Sequence, residues 1–284
     1  MTTTDLYNNL TEFKIIKDYT VSNEKFKILY NDKYDLLVTK PVPKDLDKYY
    51  DSIEYISHTD SNKTAIDKIY KIVRNYTLKK KLKLINKHNN GDKNILDIGS
   101  GTGDFLKICK LNNWNISGVE PSQKARDIAK EKNIILNKDI NFITGKFDII
   151  TMWHVLEHVP NLIEYIEKLK KLLNKNGTII IAVPNYKSYD AKYYQQYWAA
   201  YDVPRHLWHF SKTTISKLFA LVNMEVIKIK PMLFDSYYVS LLSTKYKYGK
   251  MKPLKAFYTG LKSNIKGNRI KEYSSHIYII KNSK

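Results

Sequence analysis

The sequence has little of what would assign it to several large protein classes. It contains a single cysteine, Cys109, so an internal disulfide and a cysteine-based zinc site are both excluded. No apolar run approaches the roughly 20 residues that span a bilayer. The polar stretch at residues 1–10 has no signal-peptide core. Together these absences predict a cytoplasmic protein.

Acidic residues are scarce relative to basic ones. The 284-residue chain has 48 Lys and Arg against 28 Asp and Glu, a net charge of +20. Residues 245–271 contain no acid at all. Two interpretations stay open: solvated helix faces, or an anionic partner such as a phospholipid surface, a phosphorylated substrate or RNA.

Hydrophobic patterning divides the chain near residue 57. Residues 1–57 form an accessory region, with a predicted hairpin of runs 26–30 and 35–39 around a polar turn. From residue 94, short apolar runs alternate with helical patterns, which is typical of a parallel sheet covered by helices. We therefore predict a second domain over 58–284, interrupted by insertions at 185–210 and 232–270. Strands are predicted at 94–99, 116–120, 140–144, 147–152, 177–183, 224–230 and 275–280.

The strongest local signal is the run Asp97-Ile98-Gly99-Ser100-Gly101-Thr102-Gly103 between a strand and a helix. Glycines there allow a tight turn and close approach of a ligand to the backbone. Dinucleotide folds space their glycines as G-x-G-x-x-G, whereas this run reads G-x-G-x-G. Glu120, at the end of the next strand, suits the two ribose hydroxyls of an adenosine. Asp97 suits the ammonium group of a methionine moiety.

Four blocks together resemble the class I S-adenosylmethionine-dependent methyltransferases over roughly residues 93–230. They are 95–103, 118–122, 147–160 and 177–185. Within that family the chain is similar to the ubiquinone-pathway-like small-molecule branch, through Asp202-Val203-Pro204-Arg205-His206-Leu207-Trp208-His209-Phe210-Ser211.

The resemblance implies a Rossmann-like α/β fold and a set of cofactor contacts. The implied sheet has seven mostly parallel strands in the order 3-2-1-4-5-7-6, with helices on both faces and a helical cap between strands 6 and 7. The implied cofactor is S-adenosyl-L-methionine. The candidate cofactor residues are Asp97, Gly99, Ser100, Gly101, Gly103, Glu120, Pro121, Phe142, Trp153 and His154.

Three polar residues follow the fourth strand of the second domain. His154, Glu157 and His158 share one face if the segment is a helical turn, and histidine is the side chain best suited to accept a proton near pH 7. Catalytic candidates are His154, His158 and His206. We predict no metal; the only candidate set is His154, Glu157 and His158, resembling the Glu-x-x-Glu-His metal segment of ubiquinone-pathway enzymes with His154 in place of a Glu. The alternative is that Glu157 caps or hydrogen-bonds a neighbouring loop and that His158 is a packed helix residue.

The two insertions and the accessory region supply acceptor-side candidates. The predicted acceptor-contacting residues are Tyr50, Tyr197, Trp198, Tyr201, Arg205 and His209, with residues near Tyr50 acting as a lid. An aromatic loop packed on the sheet edge is the alternative. Segment 232–270 is either a cap over the active site or an amphipathic membrane-surface segment.

The function predicted from these patterns is methyl transfer to a small-molecule acceptor, at an oxygen of a glycan, lipid or secondary-metabolite intermediate. An RNA or protein methyltransferase and a non-catalytic cofactor-binding scaffold are the alternatives. No recognisable RNA-binding module flanks the core, so a nucleic-acid partner is disfavoured, while contact with an anionic membrane stays open.

Overall fold

The computed structural model describes residues 2–50 and 65–283, and the chain divides into two compact units. The first unit comprises 1–52, 154–166 and 182–278; the second comprises 53–153, 167–181 and 279–284. Parts of the predicted lid and domain boundary at 51–64 lie outside the described residues. The predicted boundary at residue 57 stays a prediction.

An antiparallel sheet organises the N-terminal part of the first unit. Its strands are β1 (Leu10–Lys17), β2 (Lys25–Asn31), β3 (Leu36–Lys40) and β8 (Trp208–His209), in the order β1-β2-β3-β8. The predicted hairpin is confirmed, because β2 and β3 pair from Asn31 opposite Leu36 to Lys27 opposite Lys40. Strands β1 and β8 were absent from the sequence prediction. β8 comes from the Arg-His-Leu-x-His segment and pairs with β3 at Leu37 and Val38.

The second unit contains the predicted alternation of strands and helices. Its elements are α1 (Ala65–His88), β4 (Asn94–Ile98), α2 (Asp104–Leu111), β5 (Asn115–Val119), α3 (Gln123–Glu131) and β6 (Phe147–Trp153). β4 pairs in parallel with both β5 and β6. α2 begins after Gly103, whose left-handed φ of 77° suits glycine. α3 begins at Ser122, whose hydroxyl accepts from the Ala125 N–H.

The remaining elements complete a six-stranded sheet. They are α4 (Leu162–Leu172), β7 (Leu173–Pro184), α5 (Tyr189–Tyr194), α6 (Lys212–Ala220), β9 (Met224–Pro231), α7 (Asp235–Tyr248), α8 (Pro253–Ile270) and β10 (Ser275–Asn282). The strand order is β5-β4-β6-β7-β10-β9. Residues 177–184 of β7 are buried throughout, as its nearly continuous apolar run predicts. None of the helices in the described part of the chain is long and apolar enough to cross a membrane.

The predicted strand at 140–144 is wrong, so the sheet has six strands in the described residues where seven were expected. Ile140–Phe142 is a single turn of 3-10 helix, because the Asp139 carboxylate accepts from the Asn141 N–H and bends the backbone out of extended geometry. The place of a third strand is taken by one parallel bridge between Val119 and Asn137.

Both predicted insertions have regular structure. Residues 185–210 contain α5 and two 3-10 turns, Gln195–Tyr197 and Ala199–Tyr201, before β8. Their aromatic side chains join a buried cluster with residues of β1, β2 and β3. The insertion predicted at 232–270 is the helix pair α7 and α8. It leaves and rejoins the sheet at one point, since the Met232 N–H donates to the Ser275 carbonyl at 3.1 Å.

Candidate functional site

The glycine run after β4 forms a tight loop braced by β5. The N–H groups of Gly99 and Ser100 both donate to the Val119 carbonyl, at 2.8 and 3.0 Å. Gly99, Gly101 and Gly103 all have positive φ. A Cβ on Gly101 would meet no atom within 4 Å, so its backbone conformation, with φ at +52°, is what requires glycine there.

Two carboxylates flank this loop. Asp97 is almost fully buried, and Thr151 donates to its Oδ1 at 2.5 Å. Burial raises the pKa of Asp97 to about 6, although the Thr151 hydroxyl and the charge of Lys81 oppose that effect. Glu120 accepts from the Gly101 N–H at 2.8 Å and the Ser122 N–H at 3.0 Å. Glu120 therefore holds the loop in place, a role that its position in the sequence did not predict.

A cation lies among aromatic rings beside Asp97. The Lys81 ammonium group is 4.2 Å from the centre of the Trp153 ring and 5.8 Å from that of Phe105. An aromatic face next to a carboxylate is a favourable environment for a positively charged group. Sequence analysis missed Lys81, because it belongs to a run of lysines on α1 that gives no sign of which one points inward. Of the other predicted contacts in this unit, Phe142 and Pro121 are exposed.

In the first unit, a buried carboxylate lies between histidines. Glu157 is fully buried in the 3-10 turn Leu156–His158, and neither of its oxygens has a hydrogen-bond partner of good geometry among the described residues. Burial acts to raise the pKa of Glu157, but the neighbouring histidines hold it below its usual range. One oxygen of Glu157 and one nitrogen each of His158 and His206 lie within 4.8 Å of one another.

Backbone carbonyls fix the orientation of both imidazoles. His158 Nδ1 is 3.0 Å from the Arg205 carbonyl, and His206 Nδ1 is 2.9 Å from the Ala200 carbonyl. A carbonyl can only accept, so each Nδ1 carries a proton, and Nε2 is the atom through which either ring, when neutral, can accept one. Burial, and the closeness of a second imidazole at His206, lower the pKa of His158 to about 4, so this ring is neutral at pH 7.

His154 differs from the other two histidines. It does not belong to the turn and has a left-handed φ of 59°. Its Nε2 is 2.8 Å from Asp235 and its Nδ1 is 3.3 Å from Glu157. Burial alone would lower the pKa of His154, but these two carboxylates raise it to about 10. At neutral pH the ring is an imidazolium, which has no lone pair to accept a proton.

A family model described as a methyltransferase domain matches residues 70–229, more than half of the chain. The chain belongs to the methyltransferase domain family. The match includes the glycine loop, both flanking carboxylates and the histidine cluster, and the cofactor of this S-adenosylmethionine-dependent family is the one the loop predicts.

Two curated methyltransferases are similar in sequence to this chain, one over 122 residues and the other over 206. The ubiquinone biosynthesis O-methyltransferase of Histophilus somni (strain 2336) is 29% identical over 122 residues, 37% of this chain and 51% of that protein. The enzyme of the same name from Rickettsia bellii (strain OSU 85-389) is 24% identical over 206 residues, 65% of this chain and 84% of that protein. The chain thus spans about half the length of the first relative.

Solved structures show the same fold. Magnesium protoporphyrin IX methyltransferase from Synechocystis PCC 6803, with bound SAH, has a TM-score of 0.52 at 14% identity, covering 80% of this chain and 91% of that one. The StiE O-MT domain (residues 961–1257) also has a TM-score of 0.52, at 16% identity, covering 78% of each chain. At these identities the likeness establishes the methyltransferase fold.

The residues that could hold a metal in this methyltransferase differ from the predicted set. Both ring nitrogens of His154 face carboxylates, those of Asp235 and Glu157, so neither is available to a metal. The candidate ligands are instead Glu157, His158 and His206. Two imidazoles with Nδ1–H groups fixed by carbonyls, plus a buried carboxylate, fit a zinc-like ion better than magnesium. Such an ion would lower the pKa of an acceptor hydroxyl.

The other predicted acceptor residues of the methyltransferase are divided between the cluster and the packed interior. Tyr50 hydroxyl is 3.0 Å from His158 Nδ1. Arg205 forms an ion pair with Asp202. Of the four other predicted residues, Trp198, Tyr201 and His209 are buried and Tyr197 is partly buried.

Two of these buried side chains, Trp198 and His209, form hydrogen bonds within the protein. The Trp198 indole donates to Asp190 at 2.8 Å. His209 Nε2 is 3.0 Å from the Thr39 hydroxyl, which donates its own proton to the His206 carbonyl. His209 Nε2 is therefore the donor in that contact, and burial lowers the pKa of His209 well below its usual value. Contact between these residues and an acceptor stays a prediction.

Proposed function

We propose that this methyltransferase moves the methyl group of S-adenosylmethionine to an oxygen atom of a small-molecule acceptor. The observation that carries the proposal is the cluster of Glu157, His158 and His206. Transfer to a hydroxyl forms a C–O bond, breaks the C–S bond and releases one proton. The enzyme must provide a group that takes that proton.

His206 is the base in this proposal. Its Nε2 is 3.6 Å from an Asp202 carboxylate oxygen, and the Glu157 carboxylate lies within 4.8 Å. The two carboxylates thus place negative charge beside the atom that takes up the proton in this proposal. His158, neutral and fixed through Nδ1, orients the acceptor hydroxyl through its Nε2. His154 holds Glu157 and Asp235 in place and is a positioning residue.

On the donor side, Asp97 binds the ammonium group and Glu120 the ribose hydroxyls of the cofactor. The curated relatives that act in ubiquinone biosynthesis are named O-methyltransferases, which supports oxygen as the acceptor atom. The proposal extends to an acceptor of the glycan, lipid or secondary-metabolite class.

The test measures labelled methyl transfer from [methyl-³H]S-adenosylmethionine to a panel of phenols and sugars, whose hydroxyl groups must lose a proton. For an acceptor that reacts, we expect His206→Gln to lower kcat by about 100-fold or more, because general-base catalysis contributes about that much. Cofactor affinity by calorimetry should not change. His276→Gln, at a buried histidine of the same unit outside the cluster, is the matched control and should retain kcat.

The chemistry of the labelled product identifies the acceptor atom. An O-methyl ester releases labelled methanol in alkali, an O-methyl ether survives it, and an N-methyl product partitions as an amine in acid. An amine product, or a His206→Gln variant with unchanged kcat, would overturn the proposal. Loss of activity on chelation, restored by zinc, would indicate that an ion bound by the cluster activates the acceptor rather than free His206.

A further inference from the structure

Helix α8 presents large apolar side chains to solvent. We call residues Leu254, Phe257, Tyr258, Leu261 and Ile265 the apolar stripe; they are 87%, 60%, 64%, 38% and 51% exposed. Their spacing of three, four, seven and eleven residues from the first one places them on one helix face. Scattered exposed apolar residues are common on proteins, but a continuous row along one helix marks an interaction surface.

The packing of α8 fixes the direction in which the stripe points. The opposite face buries only small residues, namely Ala256, Thr259, Gly260, Ser263 and Gly267. A Cβ on Gly260 would lie 3.0 Å from the Ser236 carbonyl and the Tyr237 Cα of α7. The two helices are therefore too close for the larger side chains to turn inward. The stripe is exposed because the helix pair requires its small face for packing.

The charge around the stripe has one sign. Residues 236–271 contain nine Lys and Arg and no Asp or Glu. Lys255, Lys262, Lys266 and Arg269 follow one edge of the stripe, and Lys255, Lys266 and Arg269 are exposed. Lysine and arginine beside an apolar face with aromatic residues are typical of a helix that lies in the headgroup region of a bilayer.

We propose that α8 docks this methyltransferase on an anionic phospholipid surface, with the apolar stripe entering the headgroup region and the lysines contacting lipid phosphates. The positive charge beside the stripe favours an anionic membrane over a second copy of this chain. A second copy would bring its own four Lys and Arg side chains along the stripe against these four, and like charges repel. RNA would satisfy the lysines but leave the aliphatic side chains exposed. This inference is independent of the acceptor and of the proposed reaction.

The test is co-sedimentation of the whole protein with vesicles of phosphatidylcholine, with or without phosphatidylglycerol. We expect binding to mixed vesicles and little to pure phosphatidylcholine. Each cation near an anionic surface contributes about 1 kcal/mol, so Lys255→Glu/Lys262→Glu/Lys266→Glu should weaken binding at least about 100-fold. Leu254→Ser/Phe257→Ser should weaken it about tenfold or more, since burial of these side chains is lost. Leu111→Ser, at an apolar residue 75% exposed on α2, is the matched control.

A second measurement reports insertion directly. The indole added by Leu254→Trp should show a blue shift of its emission with anionic vesicles and none with neutral ones. Unchanged cofactor affinity in every variant will show that the fold is intact. Equal vesicle binding by the wild type and the stripe variant would overturn the proposal. So would vesicle binding by Leu254→Trp without a shift in emission, dimerisation that the stripe variant abolishes without vesicle binding, or preferential binding to RNA.

Discussion

Two side chains near the glycine loop and the histidine cluster have pKa values that can be followed experimentally. For Asp97, a buried carboxyl with a pKa near 6, cofactor affinity should depend on pH. The ionised form attracts the ammonium group of S-adenosylmethionine and the protonated form does not. We expect constant affinity above about pH 7 and a loss approaching about tenfold per pH unit below 6, measured by calorimetry. Asp97→Asn should bind weakly at every pH. A flat wild-type profile down to pH 5 would contradict this role.

The charge on His154 should make the stability of the fold depend on pH above neutrality. Its pKa is raised to about 10 by Asp235 and Glu157, above the value of about 6.5 in an unfolded chain. The ion pairs therefore stabilise the fold fully below pH 6.5, and their contribution is lost as pH rises towards 10. We expect Tm to fall between pH 7 and 10 in the wild type, and to fall less in Asp235→Asn. Equal slopes in the two proteins would show that His154 is not charged.

At the scale of elements, α5 and α8 share a buried carboxylate. Asp190 is fully buried and accepts from the Trp198 indole, the Ser263 hydroxyl at 2.6 Å and the Ser274 hydroxyl at 2.7 Å. Asp190→Ala leaves three donors without an acceptor, and each costs about 1–3 kcal/mol when buried. We expect a loss of at least about 3 kcal/mol in the free energy of unfolding by urea. Glu131→Ala, at the exposed end of α3, should change it by less than about 0.5 kcal/mol.

Elements with strong local patterns could be predicted from the sequence, and those fixed by distant contacts could not. The β4 to β6 alternation and the β2–β3 hairpin follow from apolar runs and turn residues. β8 could not be predicted, because two residues gain strand geometry only by pairing with β3. The turn at Ile140–Phe142 was missed because one side-chain bond from Asp139 outweighed a short β-prone run.

In the candidate site, too, local sequence patterns predicted the residues that are close in sequence but not the contacts between distant ones. The loop and its two carboxylates are close in sequence, so spacing predicted them. The pairing of His154 with Asp235 joins residues far apart in the chain, and that contact decides which histidines can accept a proton. Spacing along a helical turn grouped His154 with His158, whereas the fold groups His158 with His206.

At the scale of the whole molecule, the net charge of +20 predicts weak, non-specific binding of nucleic acid. We expect fluorescence anisotropy to detect RNA binding at low salt that is the same for unrelated sequences. Its affinity should fall by about 10³-fold or more between 50 and 200 mM salt, as for contacts with phosphates alone. Selective binding of one RNA that survives 200 mM salt would instead favour RNA as the methyl acceptor.

The hydrogen bond between Met232 and Ser275 has a consequence for how this chain can vary. Because the segment between them begins and ends at the same point, its length is not constrained by the pairing of β9 with β10. Homologues can lengthen, shorten or exchange the α7–α8 pair without rebuilding the sheet, provided that Asp235 and the small face of α8 are replaced by other partners. The segment is therefore a natural crossover point for chimeras, in which the corresponding segment of another member of the family is grafted between β9 and β10.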